Sequence, residues 1–399
     1  MRSSARPSRR PRAAAAASSR TPRGATTRTS TSTKPSAASR ATAARLRRTG
    51  GAPPVLVEVT RGGRVESVHR GAIAVVSPDG TLVAEVGDPD QFIFVRSSAK
   101  PFQLAPFVAS GRFDEYGLGT EALAIMAASH NGEDRHVRLV QEILRRAGLT
   151  SSVLQNQVHS PFDSETAQRL VRDGEKPTVL RGNCSGKHAA MVLFAKASGW
   201  PLESYWHPGH PVQRLALETI SALSDVPIEE IATAVDGCGV VTFGMPLRGL
   251  AVAIARLADP TAVADPPLRS ALTRIRDAMM AHPELVAGES GRIDTVLMRA
   301  YPKRIVSKGG AEGVLAIGLP PGALPSGAPF GDGPMGIAAA IEDGNWARRA
   351  GNAASIEILR QIGLAVDPLP GRLGEYARPP IADPRGEATG EVRPAFRLT

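Results

Sequence analysis

Phe92-Ile93-Phe94-Val95-Arg96-Ser97-Ser98-Ala99-Lys100-Pro101 decides how this chain is read. An apolar, strand-like run ends at Val95, a polar turn follows, and a second apolar run begins after Pro101. If a helix starts near Ser97, Ser97 and Lys100 stand at i and i+3, one turn apart on one face. A lysine amine so placed can take the serine proton, provided burial or a nearby cation lowers its pKa from about 10.4. That is the serine–lysine form of an activated nucleophile. Ser-x-x-Lys alone is weak; a capping serine with a solvated lysine is its ordinary reading.

Two further stretches strengthen it. Ser129-His130-Asn131-Gly132 closes an apolar segment, and Lys308-Gly309-Gly310 stands just before a strand. Ser-x-x-Lys, Ser-x-Asn and Lys-[Thr/Gly]-Gly, in that order, make the motif series of serine β-lactamases and penicillin-binding proteins. One Ser-Lys pair supplies a nucleophile and the second shuttles a proton to the leaving group. The glycines let the backbone approach a substrate. A third cluster, Arg181 to Met191 with Asp236-Gly237-Cys238-Gly239, sets both cysteines in polar, glycine-rich turns. Two thiolates with Lys187 or His188 nearby can hold zinc, although lysine is an unusual ligand and two cysteines fall short of a structural set. Buried, inert cysteine is the plain alternative.

Outward from these motifs the chain reads as strands at both ends of a helical centre. Val55–Thr60, Val65–Val76 and Thr81–Val86 alternate as strands, the last two joined at Ser77-Pro78-Asp79-Gly80. Glu121–Ala128 is apolar; Asp134 is placed to cap a helix carrying Val137, Val140 and Leu144; Ser185 is placed to cap one running to Gly199; Val212–Leu223 is a third. Strands return at Val314–Leu319, Met335–Ile341 and Glu391–Phe396, with a helix over Ala347–Ile362. The expected fold is α/β (α+β), its central sheet built from both termini around a largely helical middle.

Charge divides the chain. Residues 1–50 hold 13 of the 48 basic residues and no acid; the remainder carries 35 basic against 38 acidic, a net of −3. Residues 1–52 are therefore expected to be a disordered basic tail, and 53–399 the folded domain. Nucleic-acid binding is not expected beyond weak contacts of the tail. No run of 18 apolar residues exists, which excludes a transmembrane helix, and two cysteines in 399 residues exclude a disulfide scaffold. The chain uses 41 arginines and only seven lysines, among them Lys100, Lys187 and Lys308. An amine can lose its proton where a guanidinium cannot, which gives a reason for lysine at those places.

The chain closely resembles the rhizobial-type asparaginases of the asparaginase II family over about Pro53 to Phe396. The residues that carry this are Arg96–Pro101, Ser129–Glu133, Asn183–Met191, Val235–Gly239, His282–Gly288 and Lys308–Gly313, with Asn183–Met191 the most specific. The resemblance implies a serine β-lactamase/glutaminase-like fold and hydrolysis of L-asparagine to L-aspartate and ammonia. It implies Ser-Lys tandems on Ser97 with Lys100 and Ser129 with Lys308, and a zinc site on Cys184, Lys187 and Cys238. Members of the family form homodimers, and a cytoplasmic location is expected. Arg96, Asn131 and Asp236 are the expected substrate-binding residues, Arg96 for the α-carboxylate and Asp236 for the α-amino group. A glutaminase or β-lactamase-like acyl hydrolase acting on another amide is the alternative. A metal-stapled binding protein with a nucleic-acid-touching arm is the rival of a different class, and the confinement of basic charge to the tail speaks against it.

Overall fold

A computed structural model describes residues 51–345 and 349–399 of the chain, so the tail expected over 1–52 lies almost entirely outside the described residues. The strands are β1 (Val55–Arg61), β2 (Arg64–Val76), β3 (Leu82–Val86), β4 (Phe92–Phe94), β5 (Ala232–Val235), β6 (Val241–Pro246), β7 (Val306–Ser307), β8 (Val314–Leu319), β9 (Met335–Ile341), β10 (Pro380–Ala382) and β11 (Ala388–Pro394). An eight-stranded sheet runs β10-β11-β1-β2-β9-β8-β7, with β3 paired to β2. Every pairing in it is antiparallel. The expected mixed fold, with a sheet drawn from both ends of the chain, is borne out.

Local chemistry explains the elements. Leu315, Ile317, Ile337 and Ala338 have no exposed surface, and every residue of β8 and β9 is buried. Such all-apolar strands need cover on both faces. The Leu247–Ala258 helix packs on β2, β8 and β9, and the Ala350–Gln361 helix on β1, β8 and β11. At the β2–β3 turn the Asp79 carboxylate accepts the Thr81 N–H at 3.0 Å, the side-chain closure expected of aspartate in a turn.

The chain between β3 and β7 is mostly helical and holds a second, three-stranded sheet in the order β4-β6-β5. Its centre is the Lys100–Ala109 helix, which packs against the Thr120–Met126, Ser185–Ala197, Pro211–Ser224 and Pro266–Ala281 helices. Eight of its ten residues are buried, so it has no solvated face on which to place Lys100. Phe107 stacks on Phe194 at 5.3 Å and meets Phe113 edge-on at 5.7 Å.

Two caps differ from expectation. Glu133, not Asp134, holds the N-cap position of the Asp134–Arg146 helix, because the Asp134 carboxylate is taken by Arg169 and Arg181 at 2.8 Å each. Cys184, not Ser185, precedes the Ser185–Ala197 helix, and the Ser185 hydroxyl turns inward to Leu180 O at 2.9 Å. Among the described residues no helix is long and apolar enough to cross a membrane.

Ile337→Ala in β9 removes wholly buried methylenes from a strand with no exposed residue and is expected to cost about 2–5 kcal/mol. Denaturant unfolding should show a lower midpoint at unchanged slope; an unchanged midpoint would contradict the burial of Ile337.

Candidate active site

The Lys100–Ala109 helix, the loop after the Thr120–Met126 helix and the end of β7 converge on one polar interior. Arg96–Ala99 forms a turn of 3-10 helix that leads straight into the Lys100 helix, and the Lys100 N–H donates to Ser97 O. Ser97 and Lys100 are therefore successive turns of one continuous helical stretch, as the spacing predicts. Arg96 takes φ +49°, a left-handed conformation that costs a non-glycine residue energy, immediately before Ser97.

Lys100 has no exposed surface. Its ammonium donates to Ala128 O at 2.6 Å, to Ser129 Oγ at 2.8 Å and to Cys184 Sγ at 3.2 Å. Burial pushes its pKa down and outweighs the opposing pull of Cys184. Ser97 is partly exposed, and its hydroxyl has no hydrogen-bond partner among the described residues. In this state the amine is thus held by Ser129 while Ser97 Oγ stands free.

Lys308, also without exposed surface, is the second buried amine. Burial lowers its pKa to about 7; Asp294 opposes this, and Lys100 and Arg292 push it further down. Its Nζ donates to Gly309 O at 2.6 Å, and no Ser129–Lys308 hydrogen bond is made. Its backbone is tied to the nucleophile turn, since Ser98 Oγ donates to Lys308 O at 3.0 Å. Gly310 makes that approach possible, because a Cβ there would stand 2.9 Å from Val95 O and 3.0 Å from Ser98 Oγ.

Cys184 and Cys238 are free, buried thiols that the fold brings together. Lys187 Nζ lies 2.9 Å from Cys238 Sγ. A hydrogen bond from Cys238 holds the Cys184 thiol well below the ordinary thiol range, aided by Lys100 and Lys187, and Cys238 itself is raised. Burial pushes the Lys187 ammonium down, but Cys238 and Cys184 outweigh it and raise it. Among the described residues no group of three or more His, Cys, Asp and Glu could hold a metal; the lysine that the fold sets against Cys238 is Lys187.

Asp236 joins this cluster to the nucleophile turn: Arg96 Nε donates to Asp236 Oδ1 at 2.7 Å, and Glu312 stands 3.7 Å from Arg96 Nη1. Burial pushes the Asp236 carboxyl up, but Lys187 and Arg96 outweigh it and lower it. Asn131 donates to Ser290 O and accepts from Arg292 Nη1, each at 3.0 Å. His130 is fully engaged, to Gly132 N–H at 3.1 Å and Ser185 Oγ at 2.9 Å, as a structural histidine. His188 Nδ1 meets Tyr205 Oη at 2.6 Å, and the ring stands beside Cys238.

Three residues that sequence reasoning missed join these pieces: Ser98, Asp294 and Arg292. Asp294 is buried and accepts from Ser307 Oγ at 2.7 Å and Gly309 N–H at 2.8 Å, so it clasps both neighbours of Lys308. No motif marked it; an acid at the start of the Ile293–Ala300 helix reads as an ordinary first-turn residue.

The model of a protein family described as L-asparaginase II matches residues 57–394. No curated protein matches the chain. Solved structures that it is similar to include the probable glutaminase of Bacillus subtilis (12% identity, 74% of this chain and 88% of that one, TM-score 0.36). Another is a Bacillus glutaminase in 4.3 M NaCl (11% identity, 73% and 90% covered, TM-score 0.34). A third is a probable glutaminase from Bacillus subtilis complexed with 6-diazo-5-oxo-L-norleucine (14% identity, 74% and 85% covered, TM-score 0.32).

Asp294→Ala would strand the buried Ser307 hydroxyl and Gly309 N–H and is expected to cost about 1–3 kcal/mol. Chemical denaturation of the variant measures this, and unchanged stability would contradict the clasp.

Proposed function

We propose that this chain, which belongs to the L-asparaginase II family and is an amidohydrolase, hydrolyses the side-chain amide of L-asparagine to L-aspartate and ammonia. The observation that carries the mechanism is the Lys100 amine, fully buried and 2.8 Å from Ser129 Oγ, one helical turn after Ser97. Neutral Lys100 takes the proton of Ser97 as Oγ attacks the amide carbon. Backbone N–H groups of the Ser97 turn receive the oxyanion. Ser129, held by Lys100, and Lys308 relay the proton to the departing ammonia as the C–N bond breaks. Water then cleaves the acyl-enzyme, releasing aspartate and returning the proton to Ser97. Asp236 takes the substrate's α-amino group, with Arg96 and Asn131 ordering the pocket around it.

Zinc fits the donor set of Cys184, Cys238 and Lys187, which combines two soft sulphurs with an amine. Both thiols and the Lys187 amine must lose their protons to ligate, so binding releases protons. When bound, zinc would act there as a Lewis acid that keeps both thiols and the Lys187 amine deprotonated. The homodimer and the cytoplasmic location that the resemblance implies are part of the same reading.

Ammonia release from L-asparagine tests the function, with L-glutamine run beside it. Ser97→Ala should lower kcat/KM by at least about 10³-fold. A parent that is zinc-loaded, folded and inactive on asparagine would overturn the reading. Extra methylene discrimination is worth only about 1–3 kcal/mol, so slow glutamine hydrolysis is expected.

The pH profile follows from the amines. Each must be neutral to accept a proton, so the rate rises with pH as the lysine pair deprotonates. Lys308 is held at about 7, which places the rising limb of kcat/KM near pH 7. A profile flat from pH 5 to 9 would contradict lysine general bases.

A further inference from the structure

We propose that Arg292, rather than Arg96, binds the α-carboxylate of the substrate; the proposal rests on the asparaginase reading above and deepens it. Residues 286–294 connect the two halves of the pocket. Val286 O accepts the Ser129 N–H at 2.9 Å, and Asp294 clasps Ser307 and Gly309 on either side of Lys308. Arg292 lies between these anchors and is partly buried. Its charge acts, with burial, to lower the pKa of Lys308, so it stands within electrostatic reach of that amine.

Its hydrogen-bond partners are all neutral, and Asp294 is the acid that acts on its charge. Nη1 donates to Asn131 Oδ1 at 3.0 Å and to Ala287 O at 3.4 Å. Nε and Nη2 donate to no group among the described residues, and no carboxylate lies within ion-pair distance. Asp294, its near neighbour in sequence, has one oxygen committed to Ser307 and Gly309. A partly buried guanidinium with one edge unused is arranged for a carboxylate, which it meets with two parallel hydrogen bonds.

Arg96 differs on each point. Asp236 occupies its Nε at 2.7 Å, and Glu312 approaches its Nη1. A substrate carboxylate there would meet an already compensated charge and two nearby anions. Arg292 is also held in place. Asn131 fixes Nη1 through Oδ1 and fixes the loop through its bond to Ser290 O. Gly288 admits this seating: at φ +142° it adopts a backbone conformation that other residues avoid, and a Cβ there would lie 2.2 Å from Asn131 Nδ2. Asn131, expected from sequence to bind substrate, thereby also acts as the support of Arg292.

The experiment compares L-asparagine with 3-aminopropanamide, which keeps the amide and the amine but lacks the carboxylate. Zinc-matched parent, Arg292→Met, Arg292→Lys and Arg96→Met are assayed for ammonia release, and L-aspartate binding is measured by titration calorimetry. Circular dichroism and thermal melting confirm that each variant is folded. For Arg292→Met we expect kcat/KM on asparagine and the affinity for aspartate to fall about 30- to 100-fold, mainly through KM. Turnover of 3-aminopropanamide should stay within about threefold, and Arg292→Lys should recover part of the loss. Equal losses on both amides would mean a structural role and overturn the proposal, as would loss of carboxylate selectivity in Arg96→Met instead. A parent that releases no ammonia from asparagine yet binds aspartate through Arg292 would overturn the catalytic reading and leave the carboxylate site standing.

Discussion

Two amines without exposed surface, Lys100 and Lys308, set the terms for the rest of this molecule. A charged ammonium in an apolar interior costs several kcal/mol unless it loses its proton or finds partners. The protein uses both routes. Burial lowers both pKa values, Lys187 lowers that of Lys100 further, and Lys100 and Arg292 lower that of Lys308. Lys100 also fills its donors with Ala128 O, Ser129 Oγ and Cys184 Sγ. Burial thus moves both amines toward the range in which a lysine can act as a base, while the three contacts of Lys100 hold the amine in place.

The architecture follows from that requirement. The Lys100–Ala109 helix is buried by four other helices, so its first residue faces interior rather than solvent. The antiparallel sheet delivers Lys308 from β7, next to strands buried on both faces. Ser98, Gly310 and Asp294 then bring the two lysine-bearing segments together at backbone precision. The thiol pair lies on the far side of Lys100, and the Cys184 contact couples its charge state to that of the base.

Much of this was legible in the sequence. Val314–Leu319 and Met335–Ile341 were readable to the residue because an unbroken apolar run of strand length has few alternatives. Ser97, Lys100, Ser129 and Lys308 were readable as a motif series. Their partnership was not: spacing pairs Lys100 with Ser97, whereas its amine goes to Ser129, a choice made by tertiary packing. β5 was not legible either, since three of its four residues are exposed and show no alternation. The caps at Glu133 and Cys184 were displaced by contacts with Arg169, Arg181 and Leu180, which lie 5 to 47 residues away in sequence. Arg292 and Asn131 are separated by 161 residues, so nothing local announces their contact.

The most direct test of the central claim is a titration of the lysine side chains by NMR of protein carrying ¹³Cε-labelled lysine. Seven lysines give few signals, and Lys100→Met and Lys308→Met assign the two that matter. The account predicts that the Lys308 resonance titrates near pH 7 and that the Lys100 resonance also titrates below the ordinary lysine value. Two midpoints near about 10.4, the value of a solvated lysine, would contradict it.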